Sequence, residues 1–128
     1  MSAIRRFVPF LALALMGQAS FAADHAAYDQ KAFEAAQASN LSILLDVSAP
    51  WCPTCKAQKP ILEKLTADPA YKDLKVFEID FDSQTELLRT LHVQKQSTLI
   101  VYKGKAEQGR STGDTAEASI GALLHKSL

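Results

Sequence analysis

Apolar and polar positions recur along this chain with two different periods. Leu41 to Val47 is a dense aliphatic run of strand length, apolar on both faces, as expected for a central strand covered by helices. Leu74 to Ile79 predicts a second strand. Between Pro53 and Thr66 the apolar residues alternate with lysines and a glutamate at helical spacing, which predicts an amphipathic helix. Pro60 lies inside this helix and should kink it.

Weaker patterns fill the intervals between these segments. An alanine-rich stretch predicts an entry helix from Asp29 to Ala38. A short helix is predicted after Ser83, which has Glu86 at the capping-box spacing, and its buried face should consist of Leu87, Leu88 and Leu91. Two strands, Thr98 to Tyr102 and Ala106 to Ser111, are predicted to form a hairpin. A last helix should start at Asp114 or Thr115. The order of elements predicts an α/β fold with a mixed sheet and helices on both faces.

The first 22 residues have the three parts of a signal peptide. Arg5 and Arg6 precede the apolar run Phe7 to Met16, and Ser20-Phe21-Ala22 offers a small-residue cleavage site. The apolar run is short for a bilayer, so we expect cleavage after Ala22 over a permanent anchor. The chain should then consist of a signal peptide, 1–22, and one compact domain, 23–128.

Charge gives this domain no obvious anionic partner. The sequence has 14 basic and 14 acidic residues, and two of the basic residues are Arg5 and Arg6, in the predicted signal peptide. The rest of the chain is therefore slightly acidic, without the basic stripe that nucleic-acid binding needs. We expect neither nucleic acid nor a membrane surface as a partner.

The only two cysteines lie in Trp51-Cys52-Pro53-Thr54-Cys55-Lys56, where the apolar strand gives way to the amphipathic helix. Cys52 should lie at the first turn of this helix, where free backbone N–H groups stabilise a thiolate and lower its pKa. Cys55, one turn further on, should be the less exposed, resolving thiol. Pro53 suits the first helical position, and Lys56 adds a positive charge nearby.

Three other uses of such a cysteine pair are weaker. A stapling disulfide normally closes a longer loop than this one. A zinc site needs further ligands, but the candidates His25, His92 and His125 are scattered singly. Haem attachment needs a histidine after the second cysteine, and Lys56 stands there. We therefore expect a redox-active disulfide of Cys52 and Cys55, with neither metal nor cofactor.

Asp46 interrupts the first apolar strand. A carboxylate in such a strand is costly unless it is solvated or functional, and desolvation raises its pKa. It is either a strand-end residue pointing at water or a proton acceptor beneath the cysteine pair.

The segment from Ile43 to Lys56, ILLDVSAPWCPTCK, resembles the active-site segment of the thioredoxin superfamily, and the likeness extends through Glu78-Ile79-Asp80, Thr98-Leu99 and Gly113. The resemblance implies a three-layer fold with a mixed sheet of four to five strands, and thiol-disulfide oxidoreductase activity. It also implies roles for individual residues. They are Cys52 as the attacking thiolate, Cys55 as the resolving thiol, Asp46 as its proton acceptor, and Trp51, Pro53, Ser97 and Thr98 as the substrate-binding surface.

The sequence departs from this superfamily at two positions. Ser97 stands where a cis-proline is usual, and because a cis bond before a non-proline residue costs about 2.5 to 4 kcal/mol, we expect the Gln96-Ser97 bond to be trans. The serine hydroxyl could donate a hydrogen bond to the Cys52 thiolate. Val76 stands where some thioredoxins have a lysine near the buried aspartate, so Asp46 should lack this positively charged partner.

The residues between the cysteines bear on the direction of electron flow. Strongly oxidising members usually have histidine there, whereas this chain has Pro53-Thr54, so we favour a reductant or electron shuttle over an oxidase, an isomerase or a catalytically weak binding module. An exported reductant needs an electron supply. The predicted signal peptide implies a periplasmic location, and we expect a monomer. The resemblance implies recharging by a membrane thiol transporter of the DsbD or CcdA type. Its substrates would be protein disulfides, apocytochromes among them.

Overall fold

The computed structural model describes Gly17 and residues 22–128. Most of the predicted signal peptide, 1–22, lies outside the described residues. Within them, five strands and four α-helices follow in an order that a short 3-10 segment, Pro69–Tyr71, interrupts once. The bounds are β1 Asp24–Ala27, α1 Gln30–Ala38, β2 Ser42–Ser48, α2 Pro53–Thr66, β3 Lys75–Asp80, α3 Thr85–Thr90, β4 Thr98–Lys103, β5 Ala106–Thr112 and α4 Glu117–His125.

The strands form one mixed sheet in the order β1-β3-β2-β4-β5. β1 and β2 both run parallel to β3, while β4 is antiparallel to β2 and to β5. β2 is therefore central, and its first residues are fully buried, as the dense aliphatic run predicts. The α/β fold with a mixed sheet is confirmed.

Helices cover both faces of the sheet and bury two apolar clusters. Side chains of α2 and α4 pack on one face, on the β2 and β4 residues Leu44, Leu99 and Val101. Side chains of α1 and α3 pack on the other, which includes Ile43, Leu45, Val47, Phe77, Ile79 and Ile100. Because successive residues of a strand point to opposite faces, β2 contributes to both clusters. The predicted three-layer arrangement is thus present.

β1 has no counterpart among the elements predicted from the pattern. Its four residues, Asp24 to Ala27, are all exposed and belong to types that are poor strand formers. Pairing with β3 forms this strand: Asp24 lies opposite Lys75, and their side chains make an ion pair of 2.7 Å. Because no face of this edge strand is buried, its sequence lacks the alternation of apolar and polar residues that would predict a strand.

The start of α3 differs from the prediction. Gln84, not Ser83, precedes its first residue, and no side chain caps it. The Ser83 hydroxyl donates to the Asp80 carboxylate instead, so the capping box with Glu86 was wrong. Of the three leucines expected on its inner face, Leu88 is buried, and the other two are half-buried.

α4 also begins later than predicted, at Glu117. The Asp114 carboxylate lies upstream of the helix, where it accepts hydrogen bonds from the backbone N–H of Ala116 and the hydroxyl of Ser119. α2, in contrast, has the predicted bounds and continues through Pro60. Over residues 22–128, none of the helices has the length and apolar character needed to cross a membrane.

Candidate active site

The two cysteines lie at the start of α2, shortly after the end of β2. Cys52 is the N-cap residue of α2, and its sulfur accepts a hydrogen bond from the backbone N–H of Cys55 at 3.1 Å. Pro53 occupies the first helical position, where its missing N–H leaves no bond unmade. Cys52 and Cys55 form a disulfide, with their Cα atoms 5.3 Å apart. Both sulfurs therefore lie at the positive end of a helix of 14 residues.

The exposure of the two cysteines differs from the sequence-based expectation. Cys52 is 1% exposed and Cys55 is 8% exposed, so Cys55 is not the better buried of the two. The reason is that both cysteines pack in a small cluster with Ala49 and the partly buried Phe81, while Cys55 also lines a pocket. In this oxidised state, burial does not distinguish an attacking from a resolving thiol.

Ser97 is in direct contact with both sulfurs. Its hydroxyl oxygen lies 3.2 Å from Cys52 Sγ and 3.0 Å from Cys55 Sγ, and the residue is 2% exposed. No peptide bond in the described residues is cis, so the Gln96-Ser97 bond is trans, as expected. Ser97 instead has a φ of 61°, in the left-handed region. For a residue with a side chain this conformation costs about 1–3 kcal/mol, so the surrounding structure must hold it.

The backbone of Ser97 is fixed from several sides. Its N–H donates to the Val47 carbonyl at 2.8 Å, and its carbonyl accepts from the N–H of Gly113 at 3.0 Å. The same carbonyl accepts from the side-chain amide of Gln58 at 3.2 Å. Gln58 is a residue that the sequence reasoning missed.

Asp46 lies within β2, not at its end, and is half-buried. Desolvation by the surrounding protein, followed by the negative charge of Glu78, raises the pKa of Asp46 to about 6. The register places Glu78 directly beside Asp46, while Val76 pairs with Leu44. The residue of β3 that lies opposite Asp46 is therefore Glu78, and Val76, two residues earlier, brings no charge to it.

One pocket connects this carboxylate to the disulfide. Its volume is about 470 Å³, and Asp46, Glu78 and Cys55 all contribute to its wall, with Lys56 and Lys59 from α2. Within residues 22–128 no side chain is hydrogen-bonded to the Asp46 carboxylate. Asp46 and Cys55 thus line the same pocket.

The other predicted surface residues have different surroundings. Trp51 is 54% exposed, and its indole N–H donates to both carboxylate oxygens of Asp82, at 2.9 and 3.1 Å. Pro53 is exposed. Thr98 is 2% exposed, and its hydroxyl donates to the Lys95 carbonyl at 2.7 Å. Trp51 and Pro53 are accessible to a substrate, whereas the Thr98 side chain is committed to the loop.

This fold and this cysteine site are matched by a known family. The Thioredoxin family model matches residues 24–126, which is nearly all of the described chain. The chain belongs to the thioredoxin family. It is 34% identical over 96 residues to Thioredoxin Asp f 29 of Aspergillus fumigatus, an alignment covering 74% of this chain and 84% of that thioredoxin.

Solved structures agree with this assignment. Trxlp from Edwardsiella tarda EIB202 superposes with a TM-score of 0.77 at 42% identity, covering 79% of this chain and 98% of that one. The thioredoxin of Malassezia sympodialis, at 19% identity, shares the fold with a TM-score of 0.71, covering 82% and 91% of the two chains. With its Cys52–Cys55 disulfide, this thioredoxin-family chain is a thiol-disulfide oxidoreductase.

Replacing Asp46 by Asn should stabilise the protein in a pH-dependent way. Because folding raises the pKa of Asp46 from an ordinary value near 3.8 to about 6, the folded state binds the proton more tightly, and stability is lost as pH rises between these values. Above pH 7 the lost free energy of unfolding is on the order of 2–3 kcal/mol. In urea denaturation, Asp46→Asn should therefore gain about this amount at pH 7.5 and almost nothing at pH 4.

Glu78→Gln is the matched control for this measurement. It removes the neighbouring charge and keeps Asp46, so the loss of stability should move to lower pH without disappearing. An equal gain from Asp46→Asn at pH 4 and pH 7.5 would contradict the raised pKa.

Ser97→Pro should be far more disruptive than Ser97→Ala. Proline cannot adopt a φ of 61° and has no N–H to donate to Val47, so we expect a loss of about 3 kcal/mol or more of unfolding free energy. Alanine keeps the backbone bonds and loses only the hydroxyl. Both variants should raise the Cys52 pKa in a thiolate absorbance titration, because the thiolate loses a hydrogen-bond donor. A fully stable Ser97→Pro protein would show that this loop is not held as described.

Proposed function

We propose that this chain is an exported thioredoxin that reduces disulfides of other exported proteins. The observation that carries the proposal is the Cys52–Cys55 disulfide at the N-terminus of α2, with Ser97 on both sulfurs and Asp46 in the pocket beside Cys55. Substrate would approach over Trp51 and Pro53, the exposed residues next to Cys52.

The reaction begins from the reduced protein. The Cys52 thiolate attacks a substrate disulfide, forms a mixed disulfide and releases one substrate sulfur as a thiolate. Cys55 then transfers its proton to the Asp46 carboxylate, through water in their common pocket, and attacks Cys52 Sγ. The mixed disulfide breaks, the second substrate thiolate leaves, and the chain is left with its own disulfide. Two electrons have passed to the substrate, whose sulfurs take up two protons.

We assign the attack to Cys52 on grounds of electrostatics. Its sulfur occupies the N-cap position and accepts the Cys55 N–H bond, so a thiolate there is stabilised by the helix terminus. Cys55 lies one turn further on and has the proton acceptor on its side. The resolving step thus uses the cysteine that can lose its proton locally.

The direction of electron flow and the cellular compartment of the protein are inferred from different features. The arginines and apolar run of residues 1–22 support export to the periplasm, where a reductant must be recharged. The donor would be a membrane thiol transporter of the DsbD or CcdA type, and the substrates would be protein disulfides, including those of apocytochromes. We propose that the chain acts as a monomer.

Trapping with single-cysteine variants tests the order of attack. Cys55→Ser should accumulate mixed disulfides with its partners, because nothing resolves them, whereas Cys52→Ser should accumulate few. Under non-reducing electrophoresis, the reverse pattern would reassign the nucleophile. The trapped protein should be recovered from the periplasmic fraction with Ala23 as its first residue, and a cytoplasmic protein of full length would refute export.

The reduction potential tests the direction. Thioredoxin itself has a potential of about −270 mV, and the hydrogen bond from Ser97 to a thiolate should make this protein less reducing. A bond to a charged group contributes about 1.5–3 kcal/mol, equivalent to roughly 30–60 mV. We therefore expect a value between about −240 and −210 mV against glutathione. A potential near −120 mV, as in strongly oxidising members, would make the chain an oxidase.

A further inference from the structure

Gln58 is a polar residue in a buried position of α2. It lies three residues after Cys55 and is 1% exposed, on the helix face that also buries Leu62. A primary amide taken out of water needs hydrogen-bond partners to offset its desolvation. Its contacts therefore indicate why a polar side chain is present here.

The amide nitrogen of Gln58 joins two loops. It donates to the Ser97 carbonyl at 3.2 Å and to the Asp114 carbonyl at 2.8 Å. Both partners are acceptors, so the nitrogen and not the oxygen must face them. The amide oxygen is buried and has no partner within the described residues. The Gln58 side chain therefore contributes through the two hydrogen bonds that its NH2 group donates, and not through its amide oxygen.

The Ser97 carbonyl is a sensitive point for this contact. Ser97 has a φ of 61°, and rotation out of the left-handed region would swing both its carbonyl and its side chain. Gln58 and the N–H of Gly113 hold the carbonyl together, while Val47 holds the N–H. With the peptide planes fixed on both sides, the Ser97 Cβ is held at a position from which the hydroxyl contacts both sulfurs.

We propose that Gln58 is a positioning residue that keeps the Ser97 hydroxyl against the redox sulfurs and so sets the redox properties of Cys52. The proposal deepens the function proposed above and rests on it. Gln58 does not touch either sulfur through a hydrogen bond, so its influence must pass through Ser97. In the reduced protein the hydroxyl would already face the thiolate and would need no reorganisation to stabilise it.

Gln58→Met tests this directly, since methionine has a similar length and no donor. The Cys52 pKa, measured by thiolate absorbance, should rise by about one unit, because the hydroxyl is no longer held on the sulfur. The equilibrium constant for exchange with glutathione should shift about tenfold, which lowers the reduction potential by about 30 mV. Gln58→Leu is a second variant with the same expectation. Both leave the neighbouring ionisable groups, Asp46 and Lys56, unchanged.

Two comparisons separate positioning from general loosening of the helix. Thr66→Val is the matched control on α2, since Thr66 is equally buried and donates to Leu62 within the helix. It should lower stability and leave the Cys52 pKa unchanged. In a Ser97→Ala background, Gln58→Met should no longer change the pKa, because the hydroxyl that it positions is gone.

Several results would overturn the proposal. They are an unchanged Cys52 pKa in Gln58→Met, an equal shift with and without the Ser97 hydroxyl, or an equal shift in Thr66→Val. If neither Gln58 variant folds, the parent protein still decides. Its Gln58 side-chain nitrogen should show through-hydrogen-bond NMR couplings to the carbonyl carbons of Ser97 and Asp114, and their absence contradicts the contact. A potential in the oxidase range would refute the reductant role but not this coupling, which concerns differences between variants.

Discussion

Hydrogen bonding on both sides of β2 is the constraint on which the site depends. The parallel ladder to β3 places Glu78 beside Asp46, and the antiparallel ladder to β4 places Thr98 beside Val47. Ser97, the residue before Thr98, then lies at the end of β2, just ahead of the cysteines. A register slip of one residue would reverse every side chain of a strand, so the buried apolar residues on both faces of β2 also protect the catalytic geometry.

The sequence predicted the parts of this arrangement that carry strong local signals. The aliphatic run of β2, the amphipathic pattern of α2 and the paired cysteines between them were placed correctly, because burial and helical periodicity are local properties. β1 was missed because an exposed edge strand forms only through its partner. The cap of α3 was misplaced because Ser83 has a tertiary partner, Asp80, that satisfies its hydroxyl better than the helix does.

Contacts between neighbouring strands of the sheet could not be predicted from local sequence patterns. Whether Glu78 or Val76 lies beside Asp46 depends on the register of β2 and β3, which no single strand reveals. Gln58 is an intermediate case. Its spacing from Cys55 and Leu62 puts it on the inner face of α2, so helical periodicity could have marked it as a buried polar residue. Its partners, however, lie 39 and 56 residues further along the chain.

The surroundings of Asp46 raise its pKa even though Lys56 and Lys59 line the same pocket. A cation beside a carboxylate lowers its pKa, whereas burial, followed by the charge of Glu78, raises the pKa of Asp46 to about 6. The carboxylate is thus ionised at neutral pH, yet it holds a proton more readily than an exposed aspartate. In the mechanism proposed above, such a carboxylate would accept a proton from Cys55, which lines the same pocket.

The conformation of Ser97 makes the redox centre conditional on the packing around it. A left-handed serine costs about 1–3 kcal/mol, and each of its backbone hydrogen bonds returns only about 0.5–1.5 kcal/mol. The upper end of this strain exceeds what one bond contributes, so the bonds to Val47, Gly113 and Gln58 hold the conformation together. Val47 lies on the central strand β2, Gly113 directly follows β5, and Gln58 lies on α2. The contact of the hydroxyl with both sulfurs thus depends on sheet and helix together, and under the function proposed above loosening either would weaken the stabilisation of the Cys52 thiolate.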